Sequence, residues 1–294
     1  MLIMSLKKYQ IGLNKGLHSL SLPIVSQGKT IPKVIYQTYK DWDSLKPEWY
    51  ENIDHICELN PLWKYHFFDD KAVEEFILQE YGREILEVYL SISPELGPAR
   101  ADLFRYLLIY KRGGVYLDIK TTLTQPLDKV LQQGDVFILS HWYNQVHQPK
   151  ELIRLNYQED IQWTILSAAG HPFLRQVLNY VLGNLQVYNP WLHGVGKRAV
   201  LRITGPYAYT CATEPIKYKY PHRFTNVTEN LGIVYSMYEL INCSPLNHPS
   251  QQHTIDKNHY SHSRQLVLDK NNLSFWLYKF LKNKFAGIKM SGFT

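Results

Sequence analysis

The run Pro98 to Lys120, PARADLFRYLLIYKRGGVYLDIK, constrains this chain more than any other stretch. Leu103, Phe104, Leu107, Leu108 and Ile109 leave a helix no solvent-facing side, so the spacing predicts a buried one. Asp102 and Arg105 nevertheless stand inside it, at i and i+3 on one stripe. Gly113-Gly114 ends the helix, and Val115-Tyr116-Leu117 makes a short buried strand that closes at Asp118. Buried charge is costly unless it is paired or used. The run therefore gathers two carboxylates and a guanidinium near one strand end, and in open α/β sheets ligands bind just beyond such ends.

These residues resemble the glycosyltransferase family whose sugar-binding region carries a DXD motif. Fungal Golgi mannosyltransferases, bacterial capsule and lipopolysaccharide transferases and the clostridial glucosylating toxins share it. The family core contains S-D-x-x-R-Y, then Y-x-x-G-G-x-Y-x-D-x-D. The chain supplies Ala99, Asp102, Arg105 and Tyr106, then Tyr110, Gly113, Gly114, Tyr116 and Asp118. It departs at Ala101, where Ser is usual, and at Lys120, where the last Asp of the motif belongs. A second match lies upstream, where Ile31-Pro32-Lys33-Val34-Ile35-Tyr36-Gln37-Thr38 is similar to the family's I-P-K-x-I-H-Q-T opening.

The resemblance implies a fold and a site. The fold class is α/β: a GT-A-like, Rossmann-like nucleotide-sugar-binding sheet with flanking helices and a helical C-terminal part. By resemblance, Asp102 and Arg105 bind the donor sugar, Arg105 also approaches the diphosphate, and Asp118 contacts ribose or sugar. Tyr36, Gln37, Thr38, Ala99, Tyr106, Gly113, Gly114, Tyr116 and Lys120 complete the donor side. His259 and His262 stand where relatives carry a histidine that closes over the phosphates. The donor is a sugar nucleotide, UDP- or GDP-linked, and Mn²⁺ or Mg²⁺ is the implied cofactor, with Asp118 and His262 as ligands. A protonated lysine has no lone pair for a metal. Two readings therefore stay open at Lys120: a metal held by the remaining ligands, or an ammonium acting at the diphosphate itself.

The implied reaction is retaining transfer of a sugar to a glycan or lipid-linked glycan, in surface polysaccharide or glycolipid synthesis. Two alternatives remain beside it: a non-catalytic relative that binds nucleotide sugar or glycan, and a membrane-surface interaction protein.

Composition bounds the partners. A chain of 294 residues, 45% hydrophobic, has ample material for a core, and its net charge of +6 favours anionic partners. No basic run or nucleic-acid motif is present, so nucleic acid is not an expected partner. Cys57, Cys211 and Cys243 are dispersed, which argues against a zinc site or a disulfide framework. No run reaches the ~18 apolar residues that span a bilayer, and MLIMSLKKYQ does not read as a signal peptide. A cytoplasmic protein, peripheral on a membrane at most, is expected. The segment 274–290 alternates lysines with Phe275, Trp276, Phe280 and Phe285. It fits an interfacial helix on an anionic membrane and equally a helix packed on the domain.

Along the chain, 1–30 reads as a variable lead-in, 31–270 as the catalytic domain and 271–294 as the basic aromatic tail. Strands are expected at 33–38, 63–68, 115–117, 121–124, 135–140 and 161–168, with helices at 47–59, 72–81, 82–93, 98–112 and from Pro172. Asp70 is expected to cap the helix from Ala72, leaving Asp69 as the nucleotide contact. The polar stretch Tyr143 to Asp160 lacks periodicity and reads as an acceptor-facing loop. Thr204-Gly205-Pro206 reads as a helix-start turn.

Overall fold

A computed structural model describes residues 20–142, 149–238, 265–268, 275–278 and 280–281. The helix expected from the buried pattern spans Gly97–Arg112, and every residue from Asp102 to Tyr110 is buried. Gly113 stops it with φ 66°, and Gly114 follows with φ 108°. Both positions demand glycine for space as well as for φ. A Cβ on Gly113 would stand 2.6 Å from the Ala169 nitrogen, and one on Gly114 2.8 Å from the Val34 carbonyl oxygen.

The chain then enters β3, Gly114–Leu117. It joins β1 (Val34–Thr38), β2 (Lys64–Phe68), β5 (Phe137–Leu139), β6 (Thr164–Ser167) and β7 (Arg223–Phe224) in a six-stranded sheet ordered β2-β1-β3-β6-β5-β7. β1 runs parallel to β2 and β3, and β5 parallel to β7, while β6 is antiparallel to both β3 and β5. A small antiparallel pair, β4 (Thr122–Leu123) and β8 (Ile233–Val234), flanks it. The architecture is the expected α/β sheet with helices on both faces. The pleat sends Tyr36 and Tyr116 into the core beneath the Gly97–Arg112 helix, and Ile35, Val115 and Leu117 into a second cluster on the opposite face.

Helices pack where the pattern places them, with differences at the ends. Pro47–Leu59 forms with proline in its first turn. The two helices expected after residue 70 follow one another within Asp70–Ser91, parted by Gly82 at φ 80°. Asp69, rather than Asp70, is the cap: its carboxylate accepts from the Ala72 amide at 2.7 Å. An N-cap residue must precede the first helical turn, and Asp70 already lies in it. Pro172–Val187 packs on the Gly97–Arg112 helix, with His171 as its cap.

One consequence of this topology decides where chemistry can occur. β1, β3 and β5 end at the same edge, and antiparallel β6 begins there. Asp118, His141 and the segment Asp160–Trp163 therefore share one rim of the sheet.

Candidate donor site

Arg105 is the hub of that rim. Its Nη2 lies 3.0 Å from Asp118 Oδ1 and 3.3 Å from Asp102 Oδ1. Its Nη1 donates to the backbone and side-chain oxygens of Gln162 at 2.9 and 2.7 Å, and its Nε donates to the Ala101 carbonyl. The guanidinium also lies 4.8 Å from the centre of the Tyr116 ring. Asp102 accepts from Gln162 Nε2 at 3.1 Å and from the Thr204 hydroxyl at 2.9 Å. Each buried polar atom of Asp102, Arg105 and the Gln162 side chain thus has a partner, the condition under which buried charge is tolerated.

Exposure separates the three charged groups. The Asp118 side chain is 26% exposed, whereas Arg105 and Asp102 keep only 4% and 5%. Asp118 is the face of the network, and the other two stand behind it. Burial pushes the Asp102 carboxyl up to about 6, against the pull of Arg105 and the Thr204 and Gln162 hydrogen bonds. Burial also opposes the Arg105 charge, but Asp118 and Asp102 more than compensate and hold it above its ordinary value.

Gln37 braces Asp118 from below. Its Nε2 donates to the Asp118 carbonyl at 3.1 Å, while its Oε1 accepts from the Tyr65 hydroxyl at 3.0 Å. The Thr38 hydroxyl donates to the Phe68 carbonyl at 2.7 Å. Tyr36, Ala99, Tyr106, Gly113, Gly114 and Tyr116 have no surface to offer a donor as folded, for each is buried in the core. Tyr36 packs on His66 and Phe68, and Tyr106 stacks on Tyr209 while donating to the Thr204 carbonyl. These motif positions build the rim rather than line it. His259 and His262 lie outside the described residues.

Lys120 follows Asp118 by two residues, and its ammonium is placed against Tyr235. Nζ donates to the Tyr235 hydroxyl at 2.9 Å and lies 4.1 Å from the centre of that ring. Tyr235 in turn packs edge-on against Trp142 and Trp163. The two motif positions alone do not fit the implied metal, and His262, the other expected ligand, lies outside the described residues. The motif's second carboxylate is replaced by an ammonium, and the first already shares Oδ1 with Arg105. A divalent ion here would face two fixed cations.

Two members of the network were not expected from sequence. Gln162 was hidden in a strand-like apolar run, where a lone amide between Ile161 and Trp163 was the available signal. Thr204 does open a turn before the helix Pro206–Thr213, but its hydroxyl also reaches Asp102.

Residues 46–137 match the family described as glycosyltransferase sugar-binding region containing DXD motif. That stretch of the chain is thus similar to the sugar-binding region of the DXD glycosyltransferases. Inositol phosphoceramide mannosyltransferase 3 of Schizosaccharomyces pombe is 30% identical over 154 residues, covering 52% of this chain and 38% of that protein. The initiation-specific alpha-1,6-mannosyltransferase of Candida albicans is 27% identical over 177 residues, covering 52% of this chain and 43% of its own length. The chain therefore aligns with less than half of either relative. A solved structure, PaToxG glycosyltransferase, superposes with a TM-score of 0.45 at 15% identity, covering 64% of this chain and 70% of that one. The DXD match contains Asp102, Arg105, Asp118 and Lys120 but not Gln37, Gln162 or Thr204. Among the described residues no helix is long and apolar enough to cross a membrane.

Proposed function

We propose that the chain transfers a sugar, mannose in the first instance, from a UDP- or GDP-linked donor to a glycolipid or glycan acceptor. The observation that carries this is the Asp102–Arg105–Asp118 network at the sheet edge, within the matched sugar-binding region. Mannose is chosen because both relatives are named mannosyltransferases. The network leaves one carboxylate, Asp118, facing solvent to hold sugar or ribose hydroxyls. Arg105 and Lys120 supply positive charge to a diphosphate leaving group, in place of a second metal-binding Asp. Retention of anomeric configuration is part of the proposal, as is the extent of the catalytic unit, 31–270.

A second reading rests on Lys120: a relative that binds nucleotide sugar without turning it over. A panel of sugar nucleotides, assayed for nucleotide release with and without a short mannosyl acceptor, separates them. Turnover that is lost in Asp118→Asn supports transfer, whereas saturable binding without turnover supports the second reading.

The tail is proposed to meet an anionic bilayer. Phe275 is buried against Tyr188, while Trp276, Leu277 and Phe280 are exposed and Trp276 stacks on Phe280. Sedimentation with phosphatidylserine vesicles, unchanged by a Trp276→Ser/Phe280→Ser pair, would dismiss that role.

A further inference from the structure

Beyond the donor site, the same rim carries a second polar cluster that the transfer chemistry does not use. His141 follows β5, Asp160 precedes β6 and Glu214 opens the 3₁₀ turn Glu214–Lys219. One ligand atom from each lies within 4.8 Å of the others. His141 Nε2 stands 3.3 Å from Asp160 Oδ1 and 3.6 Å from Glu214 Oε1. The Asp160 side chain is fully buried at 0% exposure, and those of Glu214 and His141 keep 6% and 15%.

Beyond these ion-pair contacts, neither His141 Nε2 nor Asp160 Oδ1 has a hydrogen-bond partner. Two buried polar atoms are thus aimed at a shared point, with only each other and Glu214 to answer them, a state unfavourable unless a ligand between them satisfies both. The opposite Asp160 oxygen is fixed, accepting from the Thr213 hydroxyl at 2.6 Å, and the Asp160 amide donates to the Thr210 hydroxyl at 2.9 Å. The Phe224 ring packs edge-on against the imidazole, 4.6 Å between centroids. The carboxylate and the ring are therefore held in place by groups outside the cluster, as metal ligands commonly are.

We propose that His141, Asp160 and Glu214 bind a divalent transition-metal ion, Zn²⁺ or Mn²⁺. An ion about 2.1 Å from each ligand in tetrahedral geometry spaces neighbouring ligand atoms by about 3.4 Å. The observed 3.3 and 3.6 Å fall on either side of that edge. One imidazole with two carboxylates is a borderline donor set, which suits these ions better than Ca²⁺ or Cu⁺.

Lys217 is the competitor. Its ammonium lies 2.9 and 2.7 Å from the two Glu214 oxygens, and at 20% exposure it can swing into solvent on its flexible stem. The ion would tie together the segments on either side of Gln162, which lies two residues beyond Asp160. It is a positioning element for the rim, independent of how the donor is held.

The test is metal binding by the full chain after chelator stripping, read by calorimetry with Zn²⁺ and Mn²⁺ and by thermal unfolding. One equivalent is expected to bind and to raise the melting temperature. His141→Gln and Asp160→Asn should each weaken binding by about tenfold or more. Lys217→Met should tighten it, because the competing ammonium is gone. A His259→Gln/His262→Gln pair should leave it unchanged. Absence of saturable binding overturns the proposal, as does binding that survives His141→Gln and Asp160→Asn or is lost with the His259/His262 pair. Should the first two variants not fold, Lys217→Met decides: unchanged or weaker affinity marks the cluster as an ion-pair network only.

Discussion

Two buried polar clusters share one rim of the sheet, and they are built on opposite terms. Around Arg105 each buried donor and acceptor finds its match within the chain, and one carboxylate, Asp118, faces outward. Around His141 the chain supplies two fixed, orphaned atoms and leaves them facing one another. The first arrangement is complete before any ligand arrives, so whatever binds at that edge meets a preorganised surface. The second is incomplete by itself, and its geometry suits a small cation. Polar residues of similar type on one edge can thus serve as scaffold or as receptor. Satisfaction of their hydrogen bonds separates the two.

Converting the satisfied cluster into an orphaned one should have the largest effect. Arg105→Ala strands Asp102 and Gln162 in the core and should cost ~3–5 kcal/mol, read from urea unfolding midpoints. A loss below about 1 kcal/mol would mean that water already reaches the network.

Lys120 comes next, because it is half-buried and stands outside the buried Asp102–Arg105 network. Lys120→Ala should lower turnover by roughly 10²–10³, about 3–4 kcal/mol, with the fold intact. Lys120→Asp should recover part of that loss on addition of Mn²⁺, since it restores the motif's second carboxylate. Equal rates for wild type and Lys120→Ala would remove the lysine from the donor site.

A third expectation follows from Asp102, whose carboxyl titrates near 6 in the fold, above the ordinary 3.8. The folded chain then binds this proton more tightly than the unfolded one. Its contribution to stability is greatest below pH ~4 and declines as pH rises towards 6, by up to about 3 kcal/mol. Stability curves of wild type and Asp102→Asn should diverge over that window and run parallel above it. Parallel curves throughout would place the shift elsewhere.

The smallest effect is expected in the orphaned cluster. In metal-stripped protein, Asp160→Asn should stay within about 1 kcal/mol of wild type at pH 8, since it removes a carboxylate that costs energy to bury. A large loss there would show that the His141 pairing already stabilises the apoprotein.

The fold was readable because its strongest signals are local. The apolar helix, the paired glycines and the β-branched strands each follow from short-range pattern, and Pro47–Leu59 ends where proline and Asn60-Pro61 place it. The Asp102–Arg105 pairing was readable too, since the two sit on one helical stripe. Tertiary contacts were harder to foresee. Gln162 and Thr204 reach Asp102 across 60 and 102 residues of sequence. A helix cap slipped by one residue, because Asp69 and Asp70 are equally good caps by type and only backbone geometry chooses between them. Motif positions such as Tyr36 and Tyr106 read as binding residues, yet each is buried, since a recurring pattern does not distinguish what a site touches from what holds it up.

The antiparallel return of β6 has a further consequence, for how such a chain can be altered. The chain leaves the rim at Trp142 and is back on it at Glu159. The return is clasped by the Trp142 amide on the Glu159 carbonyl at 2.9 Å and the Ile161 amide on the Ser140 carbonyl at 2.8 Å. Chain added between those clasps need not shift the register of either strand, provided the buried Leu152 and the Glu151–Arg202 pair are kept, and doubling the length of a flexible loop costs only about 0.6 kcal/mol of closure entropy. It is a place for grafting: an insertion between those clasps leaves the Asp102–Arg105–Asp118 contacts untouched.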